Sequence, residues 1–502
     1  MTRILPLAIL APLVVFAQTP CEQLKSAALG HAVVAAAQAI AAGPYQLPWA
    51  PQGTAPLILP AHCRVALKMT PTSDSDIRAE IWLPLAGEWN GKFLAVGNGG
   101  FAGTINYYAM PEMLREGYAT ASTDTGHQGP GAVFALGHPE KVVDFAFRAV
   151  HEMTVQAKAI ISAHYGRGPR LSYWSGCSTG GRQGLMSAQR YPDDYDGIIA
   201  SAPANAQIRQ SAWRLALLSA ARKDPARAIP QAKLDLLHRA VLAACDRLDG
   251  VKDGFLSDPT KCHFDPAELL CHGANGDNCL TAPQLETVRM AYSPVRKRNG
   301  EVIYPGVVPG GESGWDLLLP MPENAPLGMD AALFRIIAHQ DPTWDWRSFD
   351  AESDTALALE RAGFIEATNP DLSAFKARGG KLLIFHGWSD GGSGGAISPL
   401  NTIDYFSSVL AKMGPNQNEW LRLFLVPGMG HCGGGPGPNQ FNSLAALERW
   451  REQGKAPERI VASRVADNRV NMTRPLCPYP NVAVYAGVGS TNDADSFVCR
   501  LP

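Results

Sequence analysis

The sequence has little net charge, and it lacks four features that would each point to a particular class of protein. Its 502 residues carry a formal net charge of −2, and no extended basic run is present, which argues against nucleic-acid binding. No C-x-x-C pair occurs, which argues against a zinc or thioredoxin-type site. No internal repeat is visible, and after residue 17 no apolar run is long enough to cross a membrane. The length leaves room for a core domain of roughly 250–300 residues and a large insertion.

The first 17 residues have the pattern of an export signal. Arg3 supplies a positive charge, residues 4–16 form an uncharged apolar run, and small residues favour cleavage after Ala17. The alternative is a buried N-terminal helix. No small-residue box of the lipoprotein type precedes Cys21, which argues against a lipid anchor. We therefore predict a signal peptide over residues 1–17, no membrane association after its removal, and a secreted or periplasmic location.

The ten cysteines agree with export, because their number is even and all follow the proposed cleavage point. On the order of a thousand pairings into five disulfides are possible, so sequence alone does not decide among them. Short separations along the chain favour Cys245–Cys262, Cys271–Cys279 and Cys477–Cys499. We also predict Cys21–Cys63.

Short apolar runs alternate with helical patterns along much of the chain. The predicted strands cover residues 92–96, 118–122, 381–385 and 421–426, and helical patterns cover residues 144–164 and 443–453. This alternation predicts an α/β protein with a doubly wound sheet. Residues 205–375 break the rhythm and are rich in Trp, Pro and Asp. We therefore predict a core built from residues 18–204 and 376–502, with residues 205–375 inserted between its halves as a lid domain.

A nucleophile is predicted at Ser178. Residues 176–180 fit the pattern G-x-S-x-G, a predicted strand at residues 171–174 precedes it, and a predicted helix at residues 181–190 follows. A nucleophile elbow of the α/β-hydrolase fold requires this strand–turn–helix context. The two glycines allow neighbouring backbone to approach closely, and the backbone N–H of Thr179 is placed to bind an oxyanion. The alternative is a Gly-rich turn with a structural serine.

The base and the acid are predicted from their positions after strands. His431 follows a strand in a Gly-rich loop near the C-terminal end of the core, and Asp390 follows the strand at residues 381–385. The order Ser178, Asp390, His431 is the one typical of α/β-hydrolases. His386 is the rival base, although its place at the end of an apolar strand favours a structural role. Asp404 is the weaker acid because it falls in a helical pattern.

One disulfide follows from this triad. Cys177 precedes Ser178 and Cys432 follows His431, so a Ser178–His431 hydrogen bond would also bring the two cysteines close together. Cysteines whose Cα atoms lie about 5–6 Å apart can form an unstrained disulfide. We therefore predict Cys177–Cys432.

Several of these motifs together resemble the tannase/feruloyl esterase family. They are residues 176–181, the Asp390 loop after His386-Gly387-Trp388, residues 430–432 and the segment at residues 474–480. The resemblance extends from about Cys21 to the C-terminus. It implies an α/β-hydrolase fold with a lid and a disulfide beside the catalytic Ser and His. It also implies a Gly-rich oxyanion loop at Gly99 and Gly100, for which we choose Gly100 as the donor.

The resemblance further implies a structural calcium ion in the lid. The matching stretch is residues 245–255, between Cys245 and Cys262, and the implied ligands are Asp246, Asp249, Val251, Asp253 and Phe255, the last three supplying one carboxylate and two backbone carbonyls. Oxygen-rich shells of this kind suit Ca²⁺. Without the resemblance, an Asp/Gly-rich run is more often a plain turn.

The resemblance implies a serine esterase that acts on a small aromatic ester, for which we favour a feruloyl ester over a gallate or a terephthalate half-ester. Arg335 could pair with an anionic group of the substrate or form a surface or structural ion pair. Five aromatic residues of the lid could form an aromatic-binding wall or simply lid core: Trp315, Phe334, Trp344, Trp346 and Phe349. Residues 391–396 depart from the family pattern, which puts any inherited substrate in doubt. The alternatives are an inactive calcium-dependent carbohydrate-binding protein and a secreted serine peptidase.

Overall fold

The structure is a computed structural model, and it describes residues 18–46, 53–322, 325, 327–391 and 397–501. The predicted signal peptide and most of the loop at residues 391–396 lie outside these residues. Within the described part of the chain, no helix is both long and apolar enough to span a bilayer.

A nine-stranded mixed sheet forms the centre of the molecule. In chain order its strands are β1 (Ala32–Ile40), β2 (His62–Met69), β3 (Ile77–Pro84), β4 (Lys92–Val96), β5 (Ala119–Thr123), β6 (Leu171–Cys177), β7 (Gly197–Ser201), β8 (Lys381–Gly387) and β9 (Leu421–Val426). Their order across the sheet is β1-β2-β3-β5-β4-β6-β7-β8-β9. In this order, the first three strands are antiparallel to their neighbours. The remaining six strands, β5-β4-β6-β7-β8-β9, are parallel to one another. The four strands predicted from apolar runs are β4, β5, β8 and β9.

Helices cover both faces of this sheet, which is why its parallel strands are buried and apolar. The helices that precede β8 are α1 (Met110–Arg115), α2 (Pro139–Val143), α3 (Ala149–Tyr165), α4 (Thr179–Arg190), α5 (Gln207–Lys223), α6 (Gln231–Cys245), α7 (Ala282–Tyr292), α8 (Gly328–Ala332), α9 (Ala351–Ala362) and α10 (Ser373–Ala377). Two more follow, α11 (Pro399–Met413) and α12 (Ser443–Gln453). Wider π-helical turns at Asp144–Arg148 and Leu333–Ala338 extend α2 and α8.

The chain between β7 and β8 carries α5–α10 and a small hairpin of Val295–Arg296 with Val302–Tyr304. This segment is the insertion that the sequence predicts, and it has an apolar cluster of its own around α5, α6 and α7. Its limits at residues 205 and 375 stay a prediction. The chain arrangement is that of an α/β protein with a large insertion before the eighth strand of the sheet.

Five disulfides bridge the described residues. They join the same five pairs that the sequence analysis predicts: Cys21–Cys63, Cys177–Cys432, Cys245–Cys262, Cys271–Cys279 and Cys477–Cys499. Three further strand pairs lie outside the main sheet: Gly43–Tyr45 with Leu57–Leu59, Ile460–Ala466 with Arg469–Leu476, and Val482–Tyr485 with Phe497–Arg500.

Candidate active site

Ser178 occupies a sharp turn between β6 and α4. Its backbone has φ +62° and ψ −119°, a region that non-glycine residues rarely adopt and that costs about 1–3 kcal/mol. Three backbone hydrogen bonds hold the turn: the Ser178 N–H donates to the Ser201 carbonyl at 3.0 Å, and the Ser178 carbonyl accepts from the N–H groups of Arg182 and Ala204 at 3.0 and 3.1 Å. The nucleophile prediction therefore falls on the most strained position of the strand–turn–helix unit.

Glycines around Ser178 are required by close packing. A Cβ atom on Gly176 would lie 2.5 Å from the Gly180 carbonyl oxygen, and one on Gly181 would lie 2.4 Å from the Ser201 carbonyl oxygen. Real Cβ atoms do not come so close to backbone. The backbones of β6, α4 and the end of β7 therefore meet only because these positions lack side chains.

The loop after β4 faces this turn and contains the predicted oxyanion glycines. Gly100 has φ +54°, and its carbonyl accepts a hydrogen bond from Thr179 Oγ1 at 3.0 Å. Thr179 is the first residue of α4, so its backbone N–H is among those that the helix leaves without an internal partner. The structure thus brings both predicted oxyanion residues, Thr179 and Gly100, into contact.

Three amide side chains that sequence reasoning missed shape the same loop. Asn98 Nδ2 donates to the carbonyls of Thr104 and Thr123 at 2.7 and 2.8 Å, and Gln183 Oε1 accepts from the Asn98 N–H at 3.1 Å. Asn106 Nδ2 donates to the Gly97 carbonyl at 2.7 Å. The only sequence signal was the Asn between glycines at residues 97–100, and two of its three partners, Thr123 and Gln183, lie 25 and 85 residues away in the chain.

Asp390 and His431 form a buried pair at the ends of β8 and β9. His431 Nδ1 lies 2.8 Å from Asp390 Oδ2, and the Asp390 side chain is fully buried. The predicted acid, rather than Asp404 on α11, therefore contacts the predicted base. Gly387 makes this possible, since a Cβ there would lie 2.2 Å from the Met429 carbonyl oxygen in the loop that carries His431.

His386 also contacts Asp390. Its Nε2 lies 3.1 Å from Asp390 Oδ2 and 3.1 Å from the Ile397 carbonyl oxygen, and its Nδ1 lies 2.7 Å from Thr402 Oγ1. Both neighbours of Nε2 are acceptors, so we assign the proton to Nε2. Burial alone would raise the pKa of Asp390, but the hydrogen bonds from His386 and His431 outweigh it and hold that pKa below its usual value.

A disulfide joins the serine turn to the histidine loop. The Cα atoms of Cys177 and Cys432 lie 5.9 Å apart, and a ring nitrogen of His431 lies within 4.8 Å of both sulfur atoms. Because the residues beside Ser178 and His431 are covalently linked across 255 positions of sequence, the two loops are held next to each other. The sulfur atoms are bonded to each other, so this cluster is not a thiolate metal site.

Ser178 and His431 line one cavity of about 920 Å³, which we call the central cavity. Its wall is mostly apolar and contains Phe101, Met113, Met329 and Phe385. Met329 comes from α8 of the insertion. Its Cε is close to Gly100, since a Cβ atom built on Gly100 would lie 3.0 Å from it. The insertion therefore closes one side of the cavity above the serine turn.

The five aromatic residues that the sequence offered as a lid wall do not line the central cavity as far as the described residues show. Trp315 is buried in the insertion's own apolar cluster. Phe334 is buried in a second cluster, which the insertion shares with core residues 101–146, and Trp344 and Phe349 pack against it. Arg335 is exposed and is also absent from the cavity wall. The aromatic rings that do line it, Phe101 and Phe385, come from the core.

The predicted calcium loop is a compact turn enclosed by the Cys245–Cys262 disulfide. Asp246 accepts from the N–H groups of Asp253 and Gly254, and Asp249 accepts from the Val251 N–H and the Ser257 hydroxyl. Asp253 forms a buried ion pair with Arg474 through one oxygen, while its Oδ1 is buried with no hydrogen-bond partner among the described residues.

Three carboxylates of this loop lie close enough to repel one another. Burial raises the pKa of Asp253 to about 6, and the charges of Asp249 and Asp246 add to the effect against the opposing Arg474. The three carboxylates do not form a preformed coordination shell. Among the described residues, the group of three or more His, Cys, Asp or Glu side chains whose potential ligand atoms all lie within 4.8 Å of one another is Cys177, His431 and Cys432. The carboxylates and the unpaired Oδ1 nevertheless match the donor chemistry of a hard cation.

Comparison with known proteins places the chain in a family. The family model described as tannase and feruloyl esterase matches residues 63–500. An uncharacterised esterase of Xanthomonas campestris pv. campestris is 38% identical over 96% of this chain and 91% of its own length. A probable feruloyl esterase B-2 of Aspergillus terreus is 34% identical over 87% of this chain and 86% of its own length.

Solved structures agree with the sequence comparison. Feruloyl esterase B from Aspergillus oryzae superimposes with a TM-score of 0.87 at 31% identity, covering 96% of this chain and 99% of that one. The tannin acyl hydrolase from Aspergillus niger shares the fold, with a TM-score of 0.77 at 23% identity over 95% and 93% of the two chains. This chain therefore belongs to the tannase and feruloyl esterase family and is a carboxylic ester hydrolase.

Proposed function

We propose that the protein hydrolyses aromatic carboxylic esters with Ser178 as nucleophile, His431 as general base and Asp390 as the acid of the triad. The observation that carries this proposal is the buried His431–Asp390 hydrogen bond, which the Cys177–Cys432 disulfide ties to the strained turn of Ser178. This combination has the parts that nucleophilic acyl transfer needs: a nucleophile, a base and a group that orients the base.

The proton path follows from the imidazole tautomer. With Nδ1–H donating to Asp390, the Nε2 atom of His431 is free to accept the Ser178 proton as the hydroxyl attacks the ester carbonyl. The N–H groups of Thr179 and Gly100 would bind the oxyanion, a contribution of about 3–4 kcal/mol per donor in related chemistry. His431 then protonates the leaving alcohol, which leaves the acyl group bound to Ser178. Water, activated by His431, attacks this acyl-enzyme and releases the acid.

The central cavity supports an aromatic acyl group. Its volume of about 920 Å³ is ample for a small aromatic ester, and its apolar wall with Phe101 and Phe385 suits a planar ring. Two of the relatives are named as feruloyl esterases, so a feruloyl ester is our first choice. A gallate or a terephthalate half-ester remains the second, because residues 391–396 depart from the family pattern.

Ser178→Ala should abolish this activity. We expect kcat on methyl ferulate to fall by about 10³-fold or more, since the residual rate would come from binding and the oxyanion site alone. A fluorophosphonate probe should label the wild-type protein and Ser407→Ala, a surface variant on α11, but not Ser178→Ala. Methyl gallate and a terephthalate half-ester assayed in parallel would rank the acyl groups. Labelling without hydrolysis of any of the three, together with cleavage of an amide, would favour a peptidase.

The Cys177–Cys432 disulfide should matter for turnover more than for binding. In a Cys177→Ala/Cys432→Ala variant we expect kcat to fall by about 10²-fold, because a displacement of about 1 Å between nucleophile and base has that effect. KM should change by less than about threefold. The matched control is Cys271→Ala/Cys279→Ala, which removes a disulfide within the insertion. Equal kcat values for the two variants would contradict the assigned role.

We also propose that His386 positions Asp390 through their shared hydrogen bond. Both imidazoles donate to Asp390 Oδ2. His386 is in turn hydrogen-bonded to Thr402 on α11, so the carboxylate is held between this buried pair and the base His431. The sequence analysis favoured a structural role for His386, and its fully buried position agrees with that interpretation. Its bond to Asp390 extends that role to the orientation of the base.

Two substitutions at His386 test this role. His386→Leu removes the donor to Asp390 and should lower kcat by about tenfold or more with little change in KM. His386→Gln places an amide N–H near the position of Nε2 and should restore much of the lost kcat. If the two variants have the same kcat while both melt close to the wild-type temperature, His386 does not position the acid.

We propose a structural calcium ion in the loop of Asp246, Asp249 and Asp253, with the backbone carbonyls of Val251 and Phe255 as further ligands. The support is the mutual repulsion of the three neighbouring carboxylates and the unpaired Asp253 Oδ1. The bound cation would offset this repulsion and stiffen the loop. It would take no part in the reaction, since this loop lies outside the wall of the central cavity.

Chelation should therefore lower stability. We expect EDTA to reduce the melting temperature by several degrees, because about 3–4 kcal/mol of binding free energy is lost at saturating calcium, and added Ca²⁺ should restore it. Asp249→Ala should melt like the chelated protein and should not respond to Ca²⁺. Asp467→Asn, an exposed change of one charge, should keep the full response. An unchanged melting temperature on chelation would exclude the site.

We further propose that the protein is exported. Five disulfides are rare in reducing compartments, and the sequence pattern of residues 1–17 is that of a cleaved signal. A secreted or periplasmic location is consistent with both features.

A further inference from the structure

The loop after β4 at residues 97–103, which we call the oxyanion loop, has its carbonyl groups occupied and part of its N–H groups free. Four of its carbonyls accept hydrogen bonds from the protein, those of Gly97, Gly99, Gly100 and Phe101. The N–H groups of Gly99, Gly100 and Phe101 donate to no group of the described residues. Because Gly99 and Gly100 line the central cavity, unpaired donors are available there to a developing oxyanion.

His127 anchors the last of these carbonyls. The residue is 5% exposed, its Nε2 lies 2.8 Å from the Phe101 carbonyl oxygen, and its Nδ1 lies 3.3 Å from Thr125 Oγ1. Burial lowers the pKa of His127 against the effect of these hydrogen bonds, so the ring is neutral and carries one proton. A carbonyl oxygen can only accept, so we assign this proton to Nε2, and Nδ1 accepts from the Thr125 hydroxyl.

The ring of His127 is held between an aromatic side chain and a glycine. It stacks on Phe134 with the ring centroids 3.8 Å apart and an interplanar angle of 16°. On the other side, a Cβ atom on Gly103 would lie 2.5 Å from His127 Cδ2, so a larger residue at this position would displace the imidazole. Gly103 is itself paired with Gly129 by two backbone hydrogen bonds of 2.9 and 3.2 Å. The ring therefore has little freedom to turn away from the oxyanion loop.

A strained residue precedes His127. Thr125 is fully buried and has φ +60°, which is a genuine outlier for a β-branched residue. Two hydrogen bonds hold this turn: the Thr125 N–H donates to Thr123 Oγ1 at 3.2 Å, and the Gly126 N–H donates to Asp124 Oδ1 at 2.9 Å. Strain of this kind is concentrated at functional sites. Here the strained turn places both the ring of His127 and the hydroxyl that contacts its Nδ1.

The peptide group between Phe101 and Ala102 is held at both ends. Its carbonyl oxygen accepts from His127, and its N–H donates to the Gly99 carbonyl at 3.0 Å. Because a peptide group is planar, hydrogen bonds on its two opposite sides oppose its rotation. Gly100 lies inside the turn that the second bond closes and has φ +54°, so the direction of its N–H depends on how this peptide group is held.

We propose that His127 is a positioning residue that fixes the oxyanion loop through the Phe101 carbonyl and so keeps the Gly100 N–H directed at the oxyanion. The inference rests on the proposed ester hydrolysis and adds a residue to its machinery. His127 does not line the central cavity, so it acts on the loop and not on the substrate. Loss of its N–H should therefore weaken binding of the transition state and leave binding of the ground state largely unchanged.

Phenylboronic acid provides a direct measure of the oxyanion site. Its boron bonds to the Ser178 oxygen, the serine proton passes to His431, and the anionic tetrahedral adduct presents an oxygen to the loop. His127→Phe keeps a ring that can stack on Phe134 but removes the donor. We expect kcat on methyl ferulate to fall about tenfold or more and the Ki of phenylboronic acid to rise by a similar factor. The Ki of the product ferulate should change by less than about twofold, as expected for ground-state binding.

His62→Phe is the matched control. His62 is 3% exposed, its Nδ1 lies 2.9 Å from the Pro60 carbonyl oxygen, and its ring packs against Trp82, but it does not line the central cavity. This variant should lose stability without a change in kcat or in the Ki of the boronic acid. His127→Gln, whose amide N–H can reach the Phe101 carbonyl, should recover most of both. Wild-type values of kcat and Ki in folded His127→Phe would overturn the inference.

A second pair of variants decides the matter if His127→Phe does not fold. The amide of His127→Asn is one methylene shorter than that of His127→Gln and does not reach the carbonyl, so its Ki for phenylboronic acid should be the higher of the two. Equal Ki values in this pair would contradict a positioning role. Failure of the wild-type protein to hydrolyse methyl ferulate and to bind phenylboronic acid would instead overturn the proposed function, and the inference with it.

Discussion

The backbone of Ser178 is held in a strained conformation, and the rest of the site is arranged around it. The strain persists because β6, β7 and α4 converge there, with the Ser201 carbonyl and the N–H groups of Arg182 and Ala204 as hydrogen-bond partners. Glycines at the contact points allow the backbones to approach within distances that a Cβ would forbid. The serine hydroxyl is thereby presented at the edge of the sheet before any substrate binds.

Buried polar contacts carry this order outward from the turn. The disulfide beside Ser178 reaches the loop of His431, which leads through Asp390 to His386 and Thr402 on α11. On the other side, Thr179 contacts Gly100, and Asn98, Asn106 and Gln183 shape that loop. Each of these groups has a hydrogen-bond partner or a covalent partner within the network, and together they tie the loops around Ser178 to one another.

The insertion has a more limited part in the chemistry than its size suggests. Its aromatic residues Trp315 and Phe334 are buried in apolar clusters, and its contribution to the central cavity is the segment around Met329. The Asp-rich loop sits at its junction with the C-terminal segment, where Arg474 pairs with Asp253.

The sequence by itself indicated the α/β alternation, the candidate triad and three of the disulfides, because these depend on local periodicity, on chain order and on short separations along the chain. The 255-residue disulfide was also predictable, since two cysteines flank residues that must meet. The tertiary structure alone decided that His386 shares Asp390 and that, among the described residues, none of the five lid aromatics lines the central cavity. These facts depend on which distant segments pack together, and no local pattern of residues records that packing.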